Sequence, residues 1–171
     1  MALKADRHEL ATDISFFYNA GDVTRGGVAV IDTVGSGSAM DQSQAKVKYR
    51  TDLEDGAGRG HAPVGILLND VVDLDLTRQH INWHKDEVQK GGKVTVLTQG
   101  WVVTNFVDTE ANFGAVTAGQ VAYASSGTAG YITNRKPPGN LGMDLAVGRF
   151  LSGTDEDGYY KVAVNLPQLG S

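Results

Sequence analysis

The chain has 171 residues, with 22 glycines, four prolines, no cysteine and a formal net charge of −5. Its 41% hydrophobic and 20% charged residues match one compact soluble domain, not a disordered chain. The missing cysteines exclude disulfides, thiolate nucleophiles and cysteine-based metal sites; the acidic balance argues against nucleic-acid partners, and no apolar run approaches the roughly 18 residues a membrane span needs.

So much glycine without a repeating period points to many turns and many short strands. Residues 1–22 read as an N-terminal arm, followed by a β-domain over 23–171. The start, MALKADRHELATD, is too charged to hold the apolar core of a secretory signal, and it carries no strand or helix period. Phe16, Phe17 and Tyr18 then stand in a row. Adjacent residues cannot all face one side of a strand. Two readings stay open, docking of these aromatics on a neighbouring subunit or return of the arm into the chain's own core.

Gly26 to Thr33 alternates as a strand entered through glycines, and residues 34–43 are small and polar, as in a flexible loop. Ala45 to Arg50 puts Val47 and Tyr49 on one face and lysines on the other, the pattern of a half-exposed strand. Thr51 to Ala62 reads as a long exposed loop with Leu53 as its only apolar anchor.

Val64 to Leu68 is an apolar run of strand length. Two further runs, Lys93 to Thr98 and Trp101 to Asn105, are separated by Gln99-Gly100, the spacing of a tight hairpin turn. Between these strands lies a polar insert at about 77–92. Within it, Thr77 to Val88 is the best candidate helix, although Ile81, Trp83 and Val88 fit a 3.6-residue period loosely.

Asp108 to Ala118 reads as another loop, with Phe113 its only large apolar residue. Gly119 to Ala124 and Gly130 to Thr133 are short strands joined by a turn, and the double proline in Asn134 to Gly142 excludes a central strand. The clearest element is the C-terminal hairpin: Leu145 to Ser152, a turn GTDEDG, and Tyr159 to Leu166. Tyr160, Val162, Val164 and Leu166 share one face of its second strand; Tyr159, Lys161 and Asn165 share the other. Together these elements predict an all-β fold, a single compact antiparallel β-barrel or sandwich of short strands with long loops and an N-terminal arm.

His80 and His84 would share a helical face, with Asp75, Asp86 or Glu87 as a third ligand. Ile81 stands where the metalloprotease pattern needs glutamate. Asp70, Asp73 and Asp75 offer oxygen ligands, but their spacing equally suits acids projecting from a strand. Asp155-Glu156-Asp157-Gly158 resembles part of a calcium loop, yet Gly153 and Val164 occupy ligand positions, so it reads as a turn. There is no phosphate-cradling motif and no nucleophile elbow around Ser36. No catalytic residue, metal or cofactor is expected.

The segments GILLNDVVDLDLTRQHINWHKDEV, GGKVTVLTQGWVVTN, AGQVAYASSGTAGYIT and VGRFLSGTDEDGYYKVAVNL resemble the decoration, or cement, proteins of tailed-bacteriophage capsids. The opening ATDISFFYNAGDVTRGGVAVID is similar too, so the resemblance covers most of the chain. Its motifs are strand-and-turn patterns, not catalytic signatures. It implies a β-barrel-like protein that is assembled in the host cytoplasm, binds the outer surface of the expanded head and locks major capsid protein subunits together, often as a homo-trimer near three-fold positions. From the residues themselves, Thr77 to Lys90 is the expected contact loop, with Trp83 as apolar anchor and Arg78, His80, His84 and Lys85 as polar rim; Trp83 closing one end of the barrel is the competing reading. Phe16, Phe17 and Tyr18 are the other expected contacts. Two rival functions are a carbohydrate- or host-surface-binding module stacking on Trp101, Tyr159 or Trp83, and a metal-dependent enzyme built on His80 and His84.

Overall fold

In the computed structural model, which describes residues 2–32, 46–51, 53, 61–73, 87–109, 114–137 and 145–166, one strand organises the rest. Lys93–Thr104 runs unbroken for 12 residues as β7. The hairpin expected at Gln99-Gly100 is therefore not formed. The glycine has a different cause: His8–Tyr18, β1, lies beside β7, and a Cβ on Gly100 would stand 2.0 Å from the His8 carbonyl oxygen. With φ at +142°, Gly100 lets two backbones approach where the pairing register slips.

Elements before β7 are β2 (Val28–Ile31), β3 (Lys46–Lys48), β4 (Pro63–Leu67), β5 (Asp70–Val72) and β6 (Glu87–Gln89). After it come β8 (Val121–Ala124), β9 (Ile132–Thr133), β10 (Ala146–Phe150) and β11 (Tyr160–Asn165). Along one edge β7 pairs antiparallel with β1, from Phe17 opposite Lys93 to His8 opposite Trp101. Leu3 extends this contact as a bridge to Thr104. The other edge is divided. Beside Val96 and Leu97 it holds β4, and from Gln99 to Thr104 it holds β11.

Because β7 forks, the nine-stranded sheet closes on itself. The order β1-β3-β2-β4-β7 returns to β1 as a five-stranded ring, while β11-β10-β8-β9 continues from the fork. This second arm curls back. Ile132 of β9 donates to the Phe106 carbonyl at 2.9 Å and accepts from the Asp108 amide at 2.8 Å, just beyond the end of β7. The sheet is mixed, since β1 and β3 pair in parallel. A closed sheet leaves few raw edges, the general solution for short strands.

Two apolar clusters fill the interior. The larger holds Leu3, Val28, Val30, Ile66, Leu68, Leu97, Val102, Phe150, Val162 and Val164 among others. The smaller holds Tyr18, Ala29, Val47, Leu67, Val71, Val94 and Val96. Strands β2, β4 and β7 contribute to both, so the wall they form is covered on each side. This accounts for the continuous apolar runs at 28–31 and 64–68, where alternation would mark a half-buried strand.

The C-terminal hairpin forms as expected, with Gly148, Arg149 and Phe150 opposite Val164, Ala163 and Val162. Asp155-Glu156-Asp157-Gly158 is its turn: Asp155 Oδ1 accepts from the amides of Asp157 at 3.0 Å and Tyr159 at 2.8 Å. β8 and β9 also pair as expected. Residues 8–13, read as patternless, belong to β1, because the pairing edge of β7 is what orders them. The expected helix at 77–88 lies mostly outside the described residues. At its end, Glu87 and Val88 are in β6, which pairs in parallel with β5, Asp70 opposite Glu87.

Candidate interaction surface

The outer face of the sheet carries a row of directly opposed residues that crosses five strands. Val121 of β8 pairs with Arg149 of β10, Arg149 with Ala163 of β11, Ala163 with Trp101 of β7, and Trp101 with His8 of β1. Their inward neighbours Phe150, Val162 and Val102 are fully buried. Strand alternation therefore turns this row outward.

Small side chains leave a depression in the row. Val121, Ala146, Gly148, Arg149, Leu151, Ala163 and Asn165 line a mostly apolar groove of about 380 Å³. Gly148 is among its lining residues, and glycine is needed there because a Cβ would meet the Ala163 carbonyl oxygen at 1.9 Å where β10 and β11 run side by side. Arg149 is the one charged lining residue among the described residues, and its Nη1 donates to the Gly119 carbonyl at 2.9 Å. Leu151 stands at the margin, 47% exposed.

Next to the groove the aromatic faces are already occupied. Lys161 Nζ sits 3.5 Å from the Trp101 ring centroid, and the His8 ring meets Trp101 edge-on at 6.4 Å. Lys4 Nζ lies 4.4 Å from the Tyr159 centroid and 2.7 Å from Asp155 Oδ2. The hydrogen bond to Asp155 raises the Lys4 pKa, and the same bond lowers that of Asp155. A sugar stacking on Trp101 or Tyr159 would have to displace an ammonium group.

The free part of β1 is the second exposed apolar feature. Only Phe17 and Tyr18 reach β3, so from His8 to Phe16 the outer edge of β1 has no strand partner among the described residues. This stretch exposes Leu10 by 71% and Ile14 by 63%. Ordinary edge protection by lysine or proline is missing here.

Of the residues expected as contacts, Tyr18 is buried in the chain's own smaller cluster, 1% exposed, and Phe16 packs partly against it; Phe17, 7% exposed, lies outside both clusters with Lys93 Nζ 5.6 Å from its ring centroid. The own-core reading describes Tyr18 and Phe16. Alternation is satisfied because β1 is sheltered on both faces at this end. Arg78, His80, Trp83, His84 and Lys85 lie outside the described residues. The strands on either side of them are tied by Gln89 Nε2, which donates to Asp73 Oδ1 at 3.1 Å. Asp70 accepts from the Arg25 amide at 2.7 Å, so both acids are used by the fold; Asp75 lies outside the described residues. No group of three or more metal-type ligands occurs among the described residues. No family model matches the chain, and no curated protein matches it.

The groove was not visible in the sequence. Its only trace is the run of small residues at Ala146, Gly148 and Ala163, which becomes a depression once the three are brought together across β10 and β11.

Proposed function

We propose that the protein is a non-enzymatic capsid decoration protein. It binds the outer surface of an expanded phage head, where it bridges major capsid protein subunits and stabilises the shell against internal pressure. Its place is the virion exterior, after assembly in the host cytoplasm, and it associates with further copies of itself.

The observation that carries this reading is the outer sheet face. A closed β body with two buried clusters presents an apolar groove, a cation-capped tryptophan and three exposed large aliphatic residues, Leu10, Ile14 and Leu151. Apolar centres with charged margins are what protein surfaces use to bind other proteins. A decorating protein needs that complementarity and no bond-making chemistry. Weak contacts repeated over a symmetric shell add through multivalency. The resemblance of the strand-and-turn segments to cement proteins supports the same reading.

Co-sedimentation with expanded heads that lack the protein tests it, with unexpanded heads as control. Saturable binding to expanded heads, at a fixed ratio to capsid subunits, is the expected result. Absence of binding to both forms would sink the proposal.

A further inference from the structure

We propose that the groove on the outer sheet face receives the exposed edge of β1 from a second copy of this chain, with Leu10 and Ile14 filling the groove and packing on Leu151. The contact needs no capsid, so it stands apart from the decorating role.

Three observations point to this occupant. The chain's large exposed aliphatics among the described residues are Leu10, Ile14 and Leu151; two stand on the strand edge and the third at the groove margin. The charges are complementary. Among the described residues the groove's charged lining residue is Arg149, whereas beside Leu10 and Ile14 stand the acids Asp13 and Glu9, the latter paired with Arg7. With a net charge of −5, two copies have no general attraction, so association requires such a local pairing. Finally, β1 and the groove are different patches. A contact between them is head-to-tail, every copy offers both halves, and repetition builds a closed ring or an open filament according to the rotation between copies.

Exposure sets the donor side. Leu10, Thr12 and Ile14 are all exposed, while Ala11 and Asp13 between them are partly sheltered. Leu10 and Ile14 are therefore both offered to solvent along the part of β1 where its pairing with β7 slips in register. On the acceptor side, Gly148 and Ala163 keep the groove open. A larger residue at Ala163 would fill the groove without touching either core.

The test uses the full chain alone in solution. Sedimentation velocity across a range of concentrations is expected to show assembly of the wild type. Leu10→Asp and Arg149→Glu should each weaken it tenfold or more while leaving thermal unfolding unchanged. Combining Arg149→Glu with Glu9→Lys and Asp13→Lys should restore it. Because the chain has no cysteine, a direct proximity test is also clean. Leu10→Cys and Ala163→Cys chains, mixed and oxidised, should form the mixed disulfide, which requires Cβ atoms about 4 Å apart. A wild type that stays monomeric throughout overturns the proposal. So does an Arg149→Glu variant that assembles normally, or cross-linking confined to Leu10→Cys chains with each other, which would mean edge-to-edge pairing of β1.

Discussion

The Tyr49 ring lies flat against Gly130: a Cβ at Gly130 would come within 2.5 Å of its Cδ2. Tyr49 follows β3 in the five-stranded ring, and Gly130 ends the turn before β9 in the second arm. The Tyr49 hydroxyl accepts from the Gly27 amide at 3.0 Å and donates to the Thr24 carbonyl at 2.9 Å. The Gly130 carbonyl accepts from Val28 at 2.7 Å. Edge-on contacts continue the line, to Tyr18 and Phe106 at 6.0 Å each, and from Phe106 to Tyr131 at 4.9 Å. The two halves of the sheet are pinned through one ring and one glycine.

Substitutions at this pin should therefore be costly. Gly130 has φ +79°, so Gly130→Ala combines backbone strain with a steric clash and should cost about 3 kcal/mol. Tyr49→Phe keeps the ring but removes one acceptor and one donor, and should cost about 1–2 kcal/mol. Urea denaturation at neutral pH measures both. A Gly130→Ala protein as stable as wild type would show that the ring moves aside freely.

Burial pushes the Tyr18 hydroxyl up to about 12, and burial raises Tyr49 well above its ordinary value. Both folded-state values exceed the unfolded value near 10, so the stabilisation is complete below pH 10. It is lost as pH rises through the folded values, because only the unfolded chain ionises in that window. Between pH 10 and 12 Tyr18 alone should remove about 2–3 kcal/mol. Unfolding midpoints at pH 9 and pH 11, compared between wild type and Tyr18→Phe, check this; the variant should lose less.

Deleting residues 1–20 removes Leu3 and all of β1. It exposes the edge of β7 from Lys93 to Thr104 and opens the five-stranded ring. The truncated chain should be unfolded or aggregated, as an uncovered long edge predicts. Circular dichroism and sedimentation of the truncation decide; a well-folded monomer would mean that β1 is dispensable.

Asp32 Oδ1 lies 3.2 Å from Lys48 Nζ and 3.3 Å from Arg50 Nη1, and the Arg50 side chain is only 4% exposed. Asp32→Ala takes a carboxylate away from a buried guanidinium and should cost about 3 kcal/mol. Lys48→Ala, which touches the more exposed end of the same cluster, should cost under about 1 kcal/mol. Thermal melts of the two variants side by side give the comparison.

For the contact loop expected from the sequence at 77–90, Trp83→Ala and Arg78→Ala should each lower the amount bound to expanded heads about tenfold, the effect of losing an interface anchor. Undiminished co-sedimentation for both would remove residues 77–90 from the contact.

The all-β class, the C-terminal hairpin and the β8–β9 pair were legible from sequence. In these elements local chemistry decides: strand runs meet turn residues a few positions apart, and alternation at Tyr160, Val162 and Val164 matches a single buried face. Leu53, the apolar anchor expected in its loop, is 3% exposed. Elsewhere the same residue types carried more than one meaning. Gly100 reads as a turn residue until β1 is seen to cross it. Residues 8–13 have no pattern of their own because their order is imposed by β7.

The class of element and the closing hairpin follow from local chemistry, since turn propensity and alternation act within a few residues. Tertiary structure decided the division of the β7 edge between β4 and β11, the burial of Phe17 and Tyr18, and the groove lined by Gly148 and Ala163. Each of these depends on backbones meeting from positions far apart in the chain, and no local propensity encodes which strand arrives at a given edge.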